Sequence, residues 1–299
     1  MNAPASVVTQ KQIERLLLDH ARSFALTLRL LPGGMREPLS LTYLLARATD
    51  TIADAGSIPR EERLQALESL QQKLNEGEAA EWHPRFASGN LSDLEEELME
   101  AVPSLILELK QLSEGEVMLR LWQRILEGQL FDLRRFPSAE PLHRAELEQY
   151  CYLVAGSVGE AWTELIENHA PQGVVSRDDS LEMKRLGAGY GKGLQLLNIL
   201  RDRASDREMG RIYASDEEIP ELLTLAESWL NEGEKYLLRL KPGRIRYGTT
   251  IPLRLAWRTL ELIKKTPCKT NAKVQRWQVY AQLLWALPSL VLPEGRNPA

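Results

Sequence analysis

The sequence predicts an all-α fold, a single-domain helical bundle spanning 1–299, and three observations predict it. Alternating β-branched runs, the mark of half-buried strands, do not occur. Leucine-rich segments whose apolar residues recur at helical spacing fill the chain instead. Glycine and proline breakers separate those segments, with no long linker and no internal repeat.

The elements follow in order. A first helix over 10–31 stops at Pro32-Gly33-Gly34, and a second over 36–54 stops before the Gly56–Pro59 break. Helices over 60–75, 91–111 and 113–135 follow, the last ending at the break between Pro137 and Pro141. One over 144–168 ends before Pro171–Gly173, and another covers 180–206. The remaining three cover 218–240, ended by Pro242-Gly243, then 249–264, ended by Pro267, and 273–288. Residues 1–9 and 293–299 read as flexible tails.

Bulk properties narrow the function. The formal net charge is -5, so no basic field points to nucleic acid. Two cysteines, Cys151 and Cys268, are too few for a disulfide framework and suit a reducing cytoplasm. Four histidines without His-x-x-x-His or Cys-x-x-Cys spacing argue against zinc. The N-terminal ten residues lack the basic-then-apolar order of a signal peptide. The longest apolar stretch, 279–292, is shorter than the roughly 20 residues a membrane helix needs, and Pro288 interrupts it. It reads as a last core helix or a shallow membrane contact.

Glycines inside the helices need a reason, since each weakens a helix by about 1 kcal/mol relative to alanine. Gly128, Gly156, Gly159, Gly187, Gly189, Gly191 and Gly193 are such positions. Close helix packing and room for a ligand along the bundle axis are both open readings. The run Gly187-Ala-Gly-Tyr-Gly-Lys-Gly is not a phosphate loop: Leu186 stands where the first glycine of a Walker loop belongs, and Gly193 stands where Ser or Thr belongs.

The informative constellation has two halves. Tyr43, Arg47, Asp50 and Asp54 fall within roughly 60° of one another on one helical face. Leu44, Leu45, Ala46, Ala48 and Ile52 surround them, so the face should be buried, and its carboxylates need neutralising. Gln195, Asn198, Asp202 and Asp206 share a face in the same way, with Arg201 beside it and Leu194, Leu196, Leu197, Ile199 and Leu200 around it. Acidic pairs at this spacing are common by chance among 42 Asp and Glu residues; Asp93/Glu97, Glu96/Glu100, Glu160/Glu164 and Glu217/Glu221 read mostly as solvated faces. Two pairs in apolar helices, each with an arginine, are different. Magnesium favours such oxygen donors and keeps positions for substrate phosphates, and an arginine fork matches phosphate oxygens. Together they suit ionisation of an allylic diphosphate in a cavity that keeps water from a carbocation.

Four ordered elements resemble the squalene and phytoene synthases, head-to-head prenyl transferases of the class I isoprenoid synthase fold, and bacterial squalene synthases most of all. Arg22-Ser-Phe resembles the family's early Ser/Thr-Arg-Ser-Phe element, and Tyr43 through Asp54 resembles the first aspartate-rich motif. Tyr150 through Gly159 is similar to the central Tyr…Val-Ala-Gly-x-Val-Gly signature. Gln195 through Asp206 is similar to the second motif, followed by Gly210-Arg211-Ile-Tyr213. The resemblance implies that Asp50, Asp54, Asn198, Asp202 and Asp206 bind Mg2+, with Gln195 helping. It implies that Arg22, Arg47, Arg201 and Arg211 hold diphosphates, with Ser23 and Tyr43 nearby. Tyr150 would sit beside the reacting carbons and serve proton removal, and Gly156 and Gly159 would bend or thin the helix lining the prenyl cavity.

Departures accompany it. Ser205-Asp206 replaces the family's Glu-Asp, and Ala214 stands where a proline usually follows the aromatic. Lys273-Val-Gln-Arg276 loosely resembles a basic element some squalene synthases use for NADPH, although two basic residues after a loop are more often a capped, solvated helix start. The implied activity is condensation of two molecules of farnesyl diphosphate through presqualene diphosphate to squalene. Phytoene, dehydrosqualene, presqualene diphosphate or hydroxysqualene formation on the same fold, and a non-catalytic binding or assembly role, are the alternatives. A monomer is the expected state, and so apolar a substrate is compatible with peripheral membrane contact.

Overall fold

A computed structural model describes residues 8–21, 28–87, 91–170 and 180–265. All the regular structure among them is helical, as the sequence predicts. The chain divides into two compact units, residues 1–135 and 136–299.

The first unit is built around α2 (Gly33–Asp54), with α1 (Gln10–Ala21), α3 (Arg60–Glu76), α4 (Asp93–Gln111) and α5 (Gly115–Arg135) packed on it. Leu41, Leu44, Leu45, Ala48 and Ile52 of α2 are all but inaccessible to water. Thr42 and Thr49 lie among them and hydrogen-bond back to the Pro38 and Ala46 carbonyls, at 2.8 and 3.0 Å. Such bonds satisfy a buried hydroxyl without a partner from another helix. Thr9 and Gln12 cap α1 reciprocally, and Ser92 with Glu95 forms the same box at α4. Gly77, at φ +80°, ends α3 in the left-handed conformation that favours glycine.

The second unit is built around α8 (Ser180–Glu208). A rod of α6 (Arg144–Cys151), a π-helical turn (Tyr152–Gly156) and α7 (Ser157–His169) packs on one side, and α9 (Ile219–Leu238) packs on another. The last described element is α10 (Arg244–Lys265). Tyr190 donates to the Thr249 carbonyl, and the Tyr236 and Thr163 hydroxyls pair, each at 2.9 Å; both rings are buried. Burial also pushes the Cys151 thiol up to about 12, so it stays protonated.

Several boundaries differ from the sequence reading, and the reasons are local. Helix α2 begins at Gly33, straight after Pro32, so Gly33 and Gly34 lie inside the helix and do not break it. Helix α10 begins at Arg244 and runs through Pro252. Pro38, Pro103 and Pro252 all lie inside helices, each removing one hydrogen bond to the residue four earlier without ending the helix. The 144–168 helix is not uniform, because one wide turn interrupts it at Tyr152–Gly156. Residues 22–27, 171–179 and 266–299, which hold part of the first expected helix and all of the 273–288 one, lie outside the described residues.

The glycine run resolves toward packing. A Cβ on Gly159 would meet the Gly187 carbonyl, and one on Gly187 would meet the Gly159 carbonyl at 2.6 Å. Gly191 lies against the Ala155 carbonyl, Gly156 against Lys192 and the Ala188 carbonyl, Gly189 against Glu232, and Gly193 against Trp229 and Leu230. Protein fills the space beside each, which favours the close-packing reading at these positions: the approach of α7, α9 and the π-helical turn to α8 requires small residues. The whole run lies inside α8, which agrees with its rejection as a phosphate loop. Replacing Gly159 or Gly187 by Ala should lower stability by about 2 kcal/mol. Gly33→Ala, with nothing within 4 Å of the added methyl, should be neutral or stabilise by up to about 1 kcal/mol. Urea unfolding midpoints of the three variants check this.

Candidate functional site

In the first unit, α2 carries Tyr43, Arg47 and Asp50 half-buried, and Asp54 exposed at its end. The expectation of a buried face is therefore corrected: the face opens progressively toward the helix terminus, where no neighbouring helix covers Asp54 enough to exclude water. Arg47 donates through Nη1 to Asp50 Oδ2 at 2.7 Å across one turn. The two side chains are 39% and 43% exposed, so the pair contributes little to stability. What it does is hold the carboxylate in a fixed position with its charge matched.

Tyr43 donates to the His20 carbonyl at 3.0 Å, tying α2 to the end of α1. His20 is a residue the sequence reading missed. Burial first, and the nearby Arg47 charge second, lower its pKa below the ordinary 6.5, against smaller opposing effects from the Leu94 backbone, Asp19 and Glu95. His20 Nε2 and Arg47 Nε are both buried without a hydrogen-bond partner in the protein. Leaving a buried polar atom unsatisfied costs about 1–3 kcal/mol. A single histidine before Arg22 carries no spacing signal, which is why only the structure exposes it. The neighbouring Arg22 and Ser23 lie outside the described residues. A separate cleft of about 520 Å³ lies between α1 and the start of α2, lined by Ile13, Leu17, Arg29, Arg36 and Ser40 among others, with no aspartate among its described lining residues.

In the second unit, α8 presents Gln195, Asp202 and Asp206 half-buried and Asn198 exposed, while Leu196, Leu197, Ile199 and Leu200 are buried. Arg201 grips Asp202 with two donors, Nε to Oδ1 at 2.8 Å and Nη2 to Oδ2. That bidentate pair, together with the Asp202 and Asp206 charges, raises the Arg201 pKa despite its burial. Ser205, which stands where the resembled family has a carboxylate, turns its hydroxyl to the Asp202 backbone carbonyl at 2.8 Å.

Beyond Asp206 the chain turns sharply at Gly210, φ +77°, and the Arg211 N–H closes the helix end on the Asp206 carbonyl at 2.8 Å. The turn brings Tyr213 onto Tyr150 of α6: ring centroids are 5.3 Å apart, planes 22° apart, and hydroxyls 3.5 Å apart. Phe136 meets the other partner, Tyr213, edge-on at 5.1 Å. No proline is needed after Tyr213, because Ser215 donates from its N–H and hydroxyl to Glu218 and Arg207 pairs with Asp216. Of the acidic pairs set aside above, Glu96 and Glu100 are exposed as expected and Glu221 is exposed and pairs with Arg144, whereas Glu160 and Glu164 are half-buried, Glu160 accepting from the Tyr152 hydroxyl and Glu164 pairing with Lys184.

The fit to magnesium is one of donor chemistry. Among the described residues no group of three or more His, Cys, Asp or Glu gathers to hold a metal. Each aspartate pair offers oxygen donors only, which suits an ion bound through one or two carboxylates and completed by substrate phosphates. Lys273 and Arg276 lie outside the described residues.

The squalene/phytoene synthase family model matches residues 17–221, which include both aspartate motifs. The squalene synthase LSS of Botryococcus braunii is 27% identical over 217 residues, 72% of this chain and 42% of the relative. The bifunctional lycopene cyclase/phytoene synthase of Colletotrichum graminicola is 28% identical over 228 residues, 74% of this chain and 35% of the relative. The chain thus spans less than half the length of these two curated relatives. A solved complex of TcSQS with the ligand E5700 superposes with a TM-score of 0.75 at 22% identity, covering 93% of this chain and 85% of that one, and shows a shared fold. No helix among the described residues is long and apolar enough to cross a membrane.

The lowered His20 pKa has a consequence for stability. The folded state resists protonating His20 while the unfolded state does not, so the unfolded state binds more protons just below pH 6.5. Stability is therefore full above that pH and falls as pH drops toward the folded-state value. His20→Gln should flatten this part of the stability profile, as chemical unfolding between pH 7.5 and 5 (roughly the imidazole range) would show.

Proposed function

The chain belongs to the squalene/phytoene synthase family, and from that premise we propose that it joins two farnesyl diphosphates head to head, giving squalene through presqualene diphosphate. The observation that supports this most is that both aspartate motifs inside the matched region, each on an otherwise apolar helix, hold a carboxylate against an arginine.

The roles follow from the residues. Asp50, Asp54, Asp202 and Asp206, with Asn198 and Gln195, would hold magnesium, which supplies positive charge to the departing diphosphate. Arg22, Arg47, Arg201 and Arg211, aided by Ser23 and Tyr43, bind diphosphate oxygens and fix their orientation. Ionisation of one substrate leaves an allylic cation that the other's double bond attacks. Tyr150 takes part in removing the proton whose loss closes the cyclopropane of presqualene diphosphate. Apolar side chains keep water from the cation. Lys273 and Arg276 would hold NADPH, the source of the hydride in the reductive half.

A second reading of the same site, phytoene-type coupling of a longer substrate, is favoured by the phytoene synthase portion of one relative. Purified protein with farnesyl or geranylgeranyl diphosphate, magnesium, and NADPH present or absent separates the two. Squalene with NADPH and presqualene diphosphate without it are the expected products. A product that NADPH does not change, or coupling of the longer substrate alone, rejects the squalene reading. Asp50→Asn and Asp202→Asn should each lower kcat about 100-fold or more, roughly 2.7 kcal/mol of transition-state stabilisation.

A further inference from the structure

Tyr150 is the only aromatic side chain given a role near the reacting carbons, and it is half-buried at the end of α6, two residues before the π-helical turn begins. A phenol on a helix end can rotate about two side-chain bonds, so its ring needs support to keep its hydroxyl aimed. That support comes from outside its own helix. The Tyr213 ring is 6% exposed and lies nearly parallel to the Tyr150 ring, at 22° and 5.3 Å. Offset stacking of this kind is a favoured aromatic geometry.

Tyr213 is itself held from three directions. Phe136 packs edge-on against its ring, at 69° between planes. Upstream, the Gly210 turn is tied to the end of α8 through the Arg211 N–H and to the 136–138 segment through the Ser138 N–H, which donates to the Gly210 carbonyl at 3.3 Å. A side chain on Gly210 would run into Pro137, so that turn has room for nothing larger than glycine. Downstream, Ser215 is fixed by Glu218. The loop that leaves the second aspartate motif therefore ends on the tyrosine assigned to proton removal.

We propose that Tyr213 is a positioning residue for Tyr150: through the stack it sets the ring angle and hydroxyl position, and it couples them to the C-terminal end of the helix carrying Asp202 and Asp206. This rests on the head-to-head reading for its catalytic consequence but not for its structural part. The hydroxyl contact, at 3.5 Å, is at the edge of hydrogen-bonding distance. The stack, not a proton relay, is the working element.

The test compares Tyr213→Phe, which keeps a ring, with Tyr213→Leu, which does not. Protein labelled with fluorotyrosine reports the Tyr150 environment as one fluorine resonance, identified by its loss in Tyr150→Phe. Tyr213→Leu should move or broaden that resonance and lower kcat about tenfold or more, at a KM for farnesyl diphosphate within about twofold of the parent, because a misplaced group costs rate more than binding. Tyr213→Phe should stay within about threefold of the parent kcat, with the resonance in place. A Tyr150 resonance unmoved in Tyr213→Leu, or equal kcat for the Leu and Phe variants, overturns the proposal. Should Tyr213→Leu fail to fold, Phe136→Leu withdraws the support behind Tyr213 and should shift the same resonance and lower kcat in the same direction; no shift overturns the proposal equally. The resonance is read without turnover. Absence of coupling in every protein, parent included, would thus count against the proposed reaction and leave the positioning claim to the spectra.

Discussion

A carboxylate set into an apolar helix has to be neutralised, and the organisation of both aspartate motifs follows from how that is done. In each, an arginine on the same helix within one turn does it: Arg47 for Asp50 and Arg201 for Asp202. Half-exposed pairs add little to folding stability, so their value lies in fixing where the carboxylates and guanidiniums point. Arg47 also lowers the His20 pKa and helps keep Glu95 ionised, after the stronger hydrogen bonds from Ser92. On the proposed reading, diphosphate competes for these arginines and leaves the carboxylates to magnesium, so the ligand-free protein stores the site with charges balanced.

Backbone contact does for the second unit what charge balance does for the motifs. Gly159 and Gly187 bring α7 and α8 within the reach of one another's carbonyls, and Gly191 does so against Ala155 inside the π-helical turn. A wide turn shifts the register of the residues around it, so the rod carrying Tyr150 is aligned by the same contacts that fix α8. The Gly210 turn and the Tyr213 stack then connect the far end of α8 back to Tyr150. Small residues and one left-handed turn are what that circuit requires.

Much of this is legible in the sequence. The helices, the two aspartate faces and the irrelevance of the glycine-rich run as a phosphate loop all follow from spacing and composition. Other features are not legible, for identifiable reasons. The exposure of Asp54 depends on where neighbouring helices stop, which periodicity does not encode. Packing and ligand room both call for glycine, and only the carbonyls facing Gly159, Gly187 and Gly191 separate them. The wide turn at Tyr152–Gly156 leaves the apolar pattern helical on both sides. His20 is a lone histidine until its unpartnered Nε2 is seen beside Arg47.

On the proposed reading, the aspartates and arginines of the two motifs bind diphosphate together with magnesium. Calorimetric titration of inorganic diphosphate into the protein, with and without magnesium, tests it most directly. The account predicts that magnesium tightens binding at least about tenfold, since the carboxylates otherwise repel the anion. Equal affinity in the two conditions would contradict it.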